Sequence, residues 1–220
     1  LGFAVCTLIF LMVLHEREFD RFHSRFERIY RLNTTSRYEG AAESTGPYSS
    51  YPMGPFLAST FEKEIEDYTR LSPIDQNFVL TYKGQANTIR QVFAVDSSFF
   101  QVFDFPLLVG NPRTAFADEH NVVLSKQKAE EIFGHTDVLG KVLTKTYANP
   151  FKQNQDTVEQ FKVSGVLAEI PSQSHLQFDM LFHAKRLPFW AVWNPDMVNN
   201  WHAQTVITYV LTRSEKVDLA

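Results

Sequence analysis

One cysteine, Cys6, is all the chain contains, so no disulfide can form within it, and cysteine usage is compatible with an oxidising compartment without requiring one. A basic excess is also missing. The 21 Lys and Arg against 25 Asp and Glu leave a net charge of −4, and no basic stripe interleaves with stacking aromatics. That balance excludes a nucleic-acid partner held by phosphate neutralisation. There is no internal repeat and no low-complexity tract, and no apolar run reaches the ~20 residues that a full membrane span takes.

Catalytic signatures are absent as well. His15-Glu16 resembles the start of a zinc-protease helix, but the second histidine would have to stand at residue 19, where the chain has Phe19. The remaining histidines, His23, His120, His135, His175, His183 and His202, show no paired spacing and read as surface or loop residues. From Gly134 to Gly140-Lys141 the glycines are separated by five residues, not the four of a phosphate loop, and Val142 replaces the Ser or Thr that would bind magnesium. No serine sits in a nucleophile elbow, Cys6 lies in an apolar run, and Glu130-Glu131, adjacent on a helix, point apart. These absences predict a chain that is not an enzyme, with no catalytic residue, no metal and no cofactor of its own.

What is present begins at the first residue. Leu1 to Leu14 carry no charge, with Leu1, Phe3, Val5, Leu8, Ile9, Phe10, Leu11, Val13 and Leu14 as its large apolar members. As a helix this run rises about 21 Å at ~1.5 Å per residue, short of a hydrocarbon core ~30 Å thick. We read it as the outer, C-terminal part of a transmembrane helix that anchors the chain. A signal peptide would show a basic stretch before the run and a small-residue cleavage site after it, and His15-Glu16-Arg17-Glu18 follows instead. A buried helix of a soluble protein is the other alternative. Next, Phe19, Phe22, Phe26 and Ile29 recur at three- and four-residue spacing while Arg17, Arg21, Arg25 and Arg28 line another side. This predicts an amphipathic juxtamembrane stalk helix over 15–28, its pattern running on to Leu32, with a helix lying in the headgroup region as the alternative.

The whole chain is 44% hydrophobic and 21% charged, enough for a packed core in the body, 29–220, and its 20 phenylalanines suit burial against sheets. Strands are predicted over 30–38, 77–82, 88–95, 121–124, 161–167, 176–182 and 205–211, the last apolar on both faces and therefore interior. Residues 39–51 read as a loop. A helix follows Pro52 with the stripe Leu57, Phe61, Ile65 and Tyr68, a short one carries Phe99, Phe100 and Phe103 behind a cap at 96–98, and a third spans Lys126 to Phe133 between Ser125 and Gly134. Lys83-Gly84-Gln85 is a hairpin turn. The sum is an α+β, strand-rich body. Phe189, Trp190, Trp193 and Trp201 crowd one segment and are candidates for contact with a partner, or for plugging the end of the sheet.

Several runs, in order, carry a family resemblance. They are Phe19-Asp20-Arg21-Phe22-His23 with Arg28-Ile29-Tyr30-Arg31-Leu32; Val95-Asp96-Ser97-Ser98-Phe99-Phe100 through Phe103-Asp104-Phe105-Pro106-Leu107-Leu108 and Gly110-Asn111-Pro112; Val122-Val123-Leu124-Ser125 with Leu139-Gly140-Lys141; Phe161 to Leu167 with Ile170-Pro171, Ser174-His175-Leu176 and Phe178-Asp179; and Trp201 with Thr208-Tyr209-Val210-Leu211. With the membrane run in front, the chain resembles the extracytoplasmic core domain of MacB-like, FtsX-like ABC transporter permeases.

The resemblance implies a mixed α/β porter-like subdomain with a smaller strand-rich subdomain inserted over roughly 96–160. It implies a noncatalytic permease subunit in the bacterial cytoplasmic (inner) membrane with its main domain in the periplasm. ATP would be hydrolysed on a separate cytoplasmic ATPase subunit, whose motion the domain relays to export, extraction or signalling. Further implied partners are a second permease half or a duplicated permease, membrane lipid and a periplasmic partner. A membrane-anchored sensor or ligand-binding module is the alternative function.

Overall fold

The computed structural model describes residues 2–37, 39–40, 42–74, 78–148, 155–186 and 195–215. Its helices are α1 (Gly2–Arg17), α2 (Met53–Thr60), α3 (Phe99–Val102) and α4 (Lys126–Phe133). Its strands are β1 (Ile29–Arg31), β2 (Thr34–Ser36), β3 (Ser44–Gly46), β4 (Tyr48–Ser50), β5 (Ile65–Ile74), β6 (Phe78–Tyr82), β7 (Gln85–Ile89), β8 (Val92–Val95), β9 (Leu107–Gly110), β10 (Asn121–Leu124), β11 (Val142–Ala148), β12 (Asp156–Leu167), β13 (Met180–His183) and β14 (Gln204–Thr212). The mixed α+β class is as expected.

Among the described residues one large, mostly antiparallel sheet runs in the order β1-β14-β5-β8-β13-β10-β12-β11-β6-β7, with β4 on β14 and β9 on β12. Only the β10–β12 and β8–β13 pairs are parallel there. The strands lying between residues 96 and 160 pair into this same sheet. β2 and β3 form a separate ribbon.

Successive side chains of a strand face opposite ways, and the two cores follow from that. On β13, Leu181 joins a phenylalanine-rich core with Phe99, Phe103, Phe105 and Phe178, while Met180 and Phe182 join an aliphatic one with Leu80, Leu143 and Val163. On β10, Val123 divides from Val122 and Leu124 in the same way. The sheet is thus buried on both faces at its centre. β12 records the transition along its own length: it alternates near Glu159, Phe161 and Val163, then is buried throughout from Gly165 to Leu167, where β9 and β10 flank it. At Gly110, φ is +101°, and an added Cβ would stand 2.5 Å from the Ser164 carbonyl oxygen, so only glycine lets β9 approach β12 this closely.

Local signals hold where they are strongest. Ser125 Oγ accepts the Lys128 N–H at 3.2 Å, and Gly134 closes α4 in the left-handed region. Lys83 and Gly84 both have positive φ, as a two-residue hairpin turn demands, and join β6 to β7.

Other expectations need correction. The helix after Pro52 stops at Thr60; Ile65 and Tyr68 belong to β5, because that segment finds a long antiparallel partner in β14. The 39–51 loop contains β3 and β4. The 30–38 strand divides into β1 and β2, which pair in different sheets. Strand geometry over 176–182 starts only at Met180, although Leu176 and Phe178 are buried. Asp96 supplies no side-chain cap for α3; its carboxylate instead takes two hydrogen bonds from the Arg70 guanidinium, each 2.8 Å.

Candidate functional site

Over residues 2–13, helix α1 is apolar around its circumference. Leu, Ile, Val, Met and Phe fill this part without a proline, and Thr7 turns its hydroxyl back onto the Phe3 carbonyl at 2.9 Å, so no charged group stands before the final His15-Glu16-Arg17. Phe3 is 88% exposed, and Val5, Leu8, Ile9, Phe10, Leu11, Met12 and Val13 are exposed with it. A helix hydrophobic all round is found buried in a large protein or in a membrane. At 16 residues, α1 is not long and apolar enough to cross one, and no other helix among the described residues is. Leu14 lies on the same helix; Leu1 is outside the described residues.

The expected stalk helix does not form. α1 ends at Arg17, and turns and one short 3-10 turn, Phe26–Arg28, lead into β1. The cause is tertiary. Asp20 takes a left-handed φ of 58°, its N–H donates to the Gln173 carbonyl at 2.9 Å, and its carboxylate accepts from the His175 N–H at 3.1 Å and from His175 Nδ1 at 2.5 Å. Phe22 and Ile29 pack on the phenylalanine-rich core. The arginines that would line a helix face reach the body instead. Arg25 bonds Glu66 and the Gln101 carbonyl, and Arg28 bonds Glu66 and, through Nε, the Thr212 carbonyl at 2.6 Å.

The result is a polar joint between α1 and the sheet. With His175 Nδ1 bonded to Asp20, its Nε2 accepts the Tyr209 hydroxyl at 2.6 Å, so a hydrogen-bonded line runs from the foot of α1 to β14. Beside it, His23 Nδ1 accepts the Asp104 N–H at 3.1 Å, and the Asp104 carboxylate accepts Ser24 N–H and hydroxyl at 2.6 and 2.7 Å. β1 then pairs Ile29, Tyr30 and Arg31 with Leu211, Val210 and Tyr209 of β14.

Burial decides the charge states. It pushes the His23 imidazole down to about 4, against the pull of Asp104 and Asp20, so the ring is neutral at pH 7. It pushes the Tyr209 phenol up to about 12, which keeps the hydroxyl protonated and makes it a donor, not a nucleophile. Burial also opposes ionisation of Asp20, but the hydrogen bonds from His175 outweigh it and hold the carboxyl below its usual range. Asp20, His175 and Tyr209 thus form one continuous hydrogen-bonded fastening.

Between the foot of α1 and the sheet lies a cleft of about 490 Å³ lined by Glu16, Phe19, His23, Phe26, Arg31 and Tyr209, among others. His23 is 2% exposed, and its Nε2 meets no hydrogen-bond partner among the described residues. A buried donor left unmatched costs about 1–3 kcal/mol.

The remaining sequence candidates fall elsewhere. Phe189, Trp190 and Trp193 lie outside the described residues. Trp201 is 49% exposed and meets the equally open Phe56 of α2 edge to face, ring centres 5.3 Å apart. The joint itself was not foreseen: His23 and His175 read as scattered surface or loop histidines, yet one is buried and the other is tied to Asp20 and Tyr209. The signal available was Asp20 and His23 one turn apart in a run of phenylalanines and arginines, which as a helix has no reason to bury a histidine.

The family described as the MacB-like periplasmic core domain matches residues 1–216. Three solved structures share the fold. A domain of a permease protein from Porphyromonas gingivalis aligns with a TM-score of 0.68 at 21% identity, covering 89% of this chain and 77% of that one. The periplasmic region of MacB from Actinobacillus actinomycetemcomitans aligns with a TM-score of 0.57 at 13% identity, covering 92% and 79%. The extracellular domain of the noncanonic ABC-type transporter YknZ from Gram-positive bacteria aligns with a TM-score of 0.51 at 14% identity, covering 84% and 82%. No curated protein matches the sequence significantly.

Proposed function

Because the chain belongs to the family of MacB-like periplasmic core domains, we propose that it is the extracytoplasmic domain of a noncatalytic ABC-transporter permease subunit, hung from the bacterial inner membrane by α1 as the outer end of a membrane helix. ATP is bound and hydrolysed on a separate cytoplasmic subunit, and this domain relays the resulting motion to export, extraction or signalling in the periplasm. A second permease half completes the assembly.

The observation that carries this reading is the joint. An apolar helix exposed on all sides feeds, within a few residues, into bonds that end on one interior strand: Asp20–His175–Tyr209, Arg28 to the Thr212 carbonyl, and the β1 ladder all reach β14. Displacement of α1 therefore reaches the sheet through several short polar contacts in parallel. The mechanism differs from a stiff rod running unbroken from Leu1 to Leu32, since the helix ends at Arg17.

Cys6, exposed on α1, provides a built-in probe. In the full permease assembled with its ATPase in nanodiscs, spin labels on Cys6 and on an introduced Asn87→Cys in the exposed edge strand β7 report the distance between helix and body. Trapping the ATPase in its nucleotide-closed state is expected to shift that distance distribution. An unchanged distribution in an assembly that still hydrolyses ATP overturns the relay, and stoichiometric nucleotide binding by this chain alone overturns its noncatalytic role.

A further inference from the structure

The cleft at the foot of α1 holds groups that the joint does not use. His23 Nδ1 is committed to the Asp104 N–H, which leaves the proton of the neutral ring on Nε2, the buried atom without a partner among the described residues. Arg31, exposed on β1, brings a guanidinium that donates to Asn33 Oδ1 at a long 3.3 Å and bonds the neutral Tyr209 hydroxyl, contacts that leave its charge uncancelled. Phe19 and Phe26 make apolar wall, and Glu16, in the last turn of α1, places a carboxylate on the lining. Asp20 is already engaged by His175, so the charges left to meet a ligand are those of Glu16 and Arg31, one of each sign.

Position then selects the ligand. Glu16 is one residue from the end of an apolar helix, so where α1 is the end of a membrane span the cleft opens at the level of the lipid headgroups. The geometry points to a binding site in this cleft for the headgroup of a zwitterionic aminophospholipid of the surrounding bilayer. Arg31 and the His23 Nε2–H donate to phosphate oxygens, Glu16 accepts from the ammonium, and Phe19 and Phe26 pack on the glycerol and first acyl carbons. A purely anionic head would leave Glu16 facing negative charge, and a phosphate-free sugar head would leave Arg31 without its counter-ion. The site rests on the reading of α1 as a membrane helix, and it adds a lipid-held clamp to the joint.

The test uses the full chain in nanodiscs made from equal parts phosphatidylethanolamine, phosphatidylglycerol and a phosphate-free galactolipid, with the lipids retained after transfer to detergent counted by native mass spectrometry. Flotation of each variant with liposomes is measured alongside. Selective retention of phosphatidylethanolamine is expected, reduced about tenfold by Arg31→Gln and lowered by His23→Phe, the loss of one charge-assisted bond being of that size. Glu16→Gln should shift retention toward phosphatidylglycerol. Arg31 is exposed, so Arg31→Gln keeps the fold, and a parent-like cooperative melt verifies this. Equal retention of all three lipids by the parent, or unchanged retention in Arg31→Gln, overturns the headgroup site while normal flotation leaves the membrane reading standing. A parent chain that does not float overturns the membrane reading and the site with it.

Discussion

Phenylalanine meets opposite surroundings at the two ends of this molecule: Phe3 on α1 is 88% exposed, whereas Phe99 on α3 is fully buried, stacked 5.7 Å from Phe105 and edge-on to Phe178 at 5.9 Å. In the body, apolar side chains are sorted by strand alternation onto two cores, and the largely buried Arg70 is paired with Asp96. On α1 nothing is sorted. The contrast teaches that α1 lacks the single apolar stripe of a surface helix of the body, the pattern on which the proposed membrane anchor rests. Joining the two regions is a polar connection, in which geometry is held by directional bonds rather than by packed volume.

Four experiments break or sharpen that contrast. The largest effect is expected inside the body: Phe99→Ala should cost about 3–5 kcal/mol in denaturant unfolding, while Phe3→Ala should leave the unfolding of the body within ~0.5 kcal/mol of the parent. An equal loss from Phe3→Ala would show that α1 packs on the body. Next, Arg70→Met strands the largely buried Asp96 carboxylate and should cost about 3–4 kcal/mol, with Asp96→Asn in the same chain restoring part of it. On the helix, Ile9→Arg should oppose membrane insertion by about 3 kcal/mol, read as lost flotation with liposomes, with thermal melting of the body unmoved. Joint melting and flotation losses would erase the distinction between the regions.

The smallest effect lies at the joint and is a pH dependence. Free imidazole titrates near 6.5 and the His23 ring is held down to about 4, so between those values the unfolded chain binds a proton that the folded chain refuses. Stability therefore falls as pH is lowered from 6.5 toward 4, by about 2 kcal/mol at pH 5. His23→Phe should flatten that part of the pH profile, measured by urea unfolding at pH 7 and pH 5. A parental slope that persists in His23→Phe would assign the effect to other groups.

Local chemistry was legible wherever a few adjacent residues decide the backbone. The Ser125 cap, Gly134 and the Lys83-Gly84 turn are of this kind, and so is β14, whose apolar character on both faces matches its place between β5 and β1. β11 was not legible, because Val142, Thr144 and Thr146 on one face differ little in polarity from Leu143, Lys145 and Tyr147 on the other. The pattern at 61–68 was misleading: Phe61, Ile65 and Tyr68 sit at helical spacing, but Tyr68 belongs to a strand set by pairing with Val210. Of the candidate site, the exposed apolar run was visible and the joint was not.

By itself the sequence determined that residues 2–14 are uncharged and apolar without a polar face, that the body is strand-rich with a capped short helix at 126–133, and that no catalytic motif is spelled out in adjacent residues. These properties depend on composition and on spacing within a turn or a strand. Only the tertiary structure decided that the helix stops at Arg17, that His23 is buried, and that Asp20, His175 and Tyr209 form one line whose first link joins residues 155 positions apart. The physical reason is that the repeating pattern of Phe19, Phe22 and Phe26 suits a free amphipathic helix, but a core able to take Phe22 and carbonyls able to take Arg25 and Arg28 stabilise a turn more than the helix would gain by continuing.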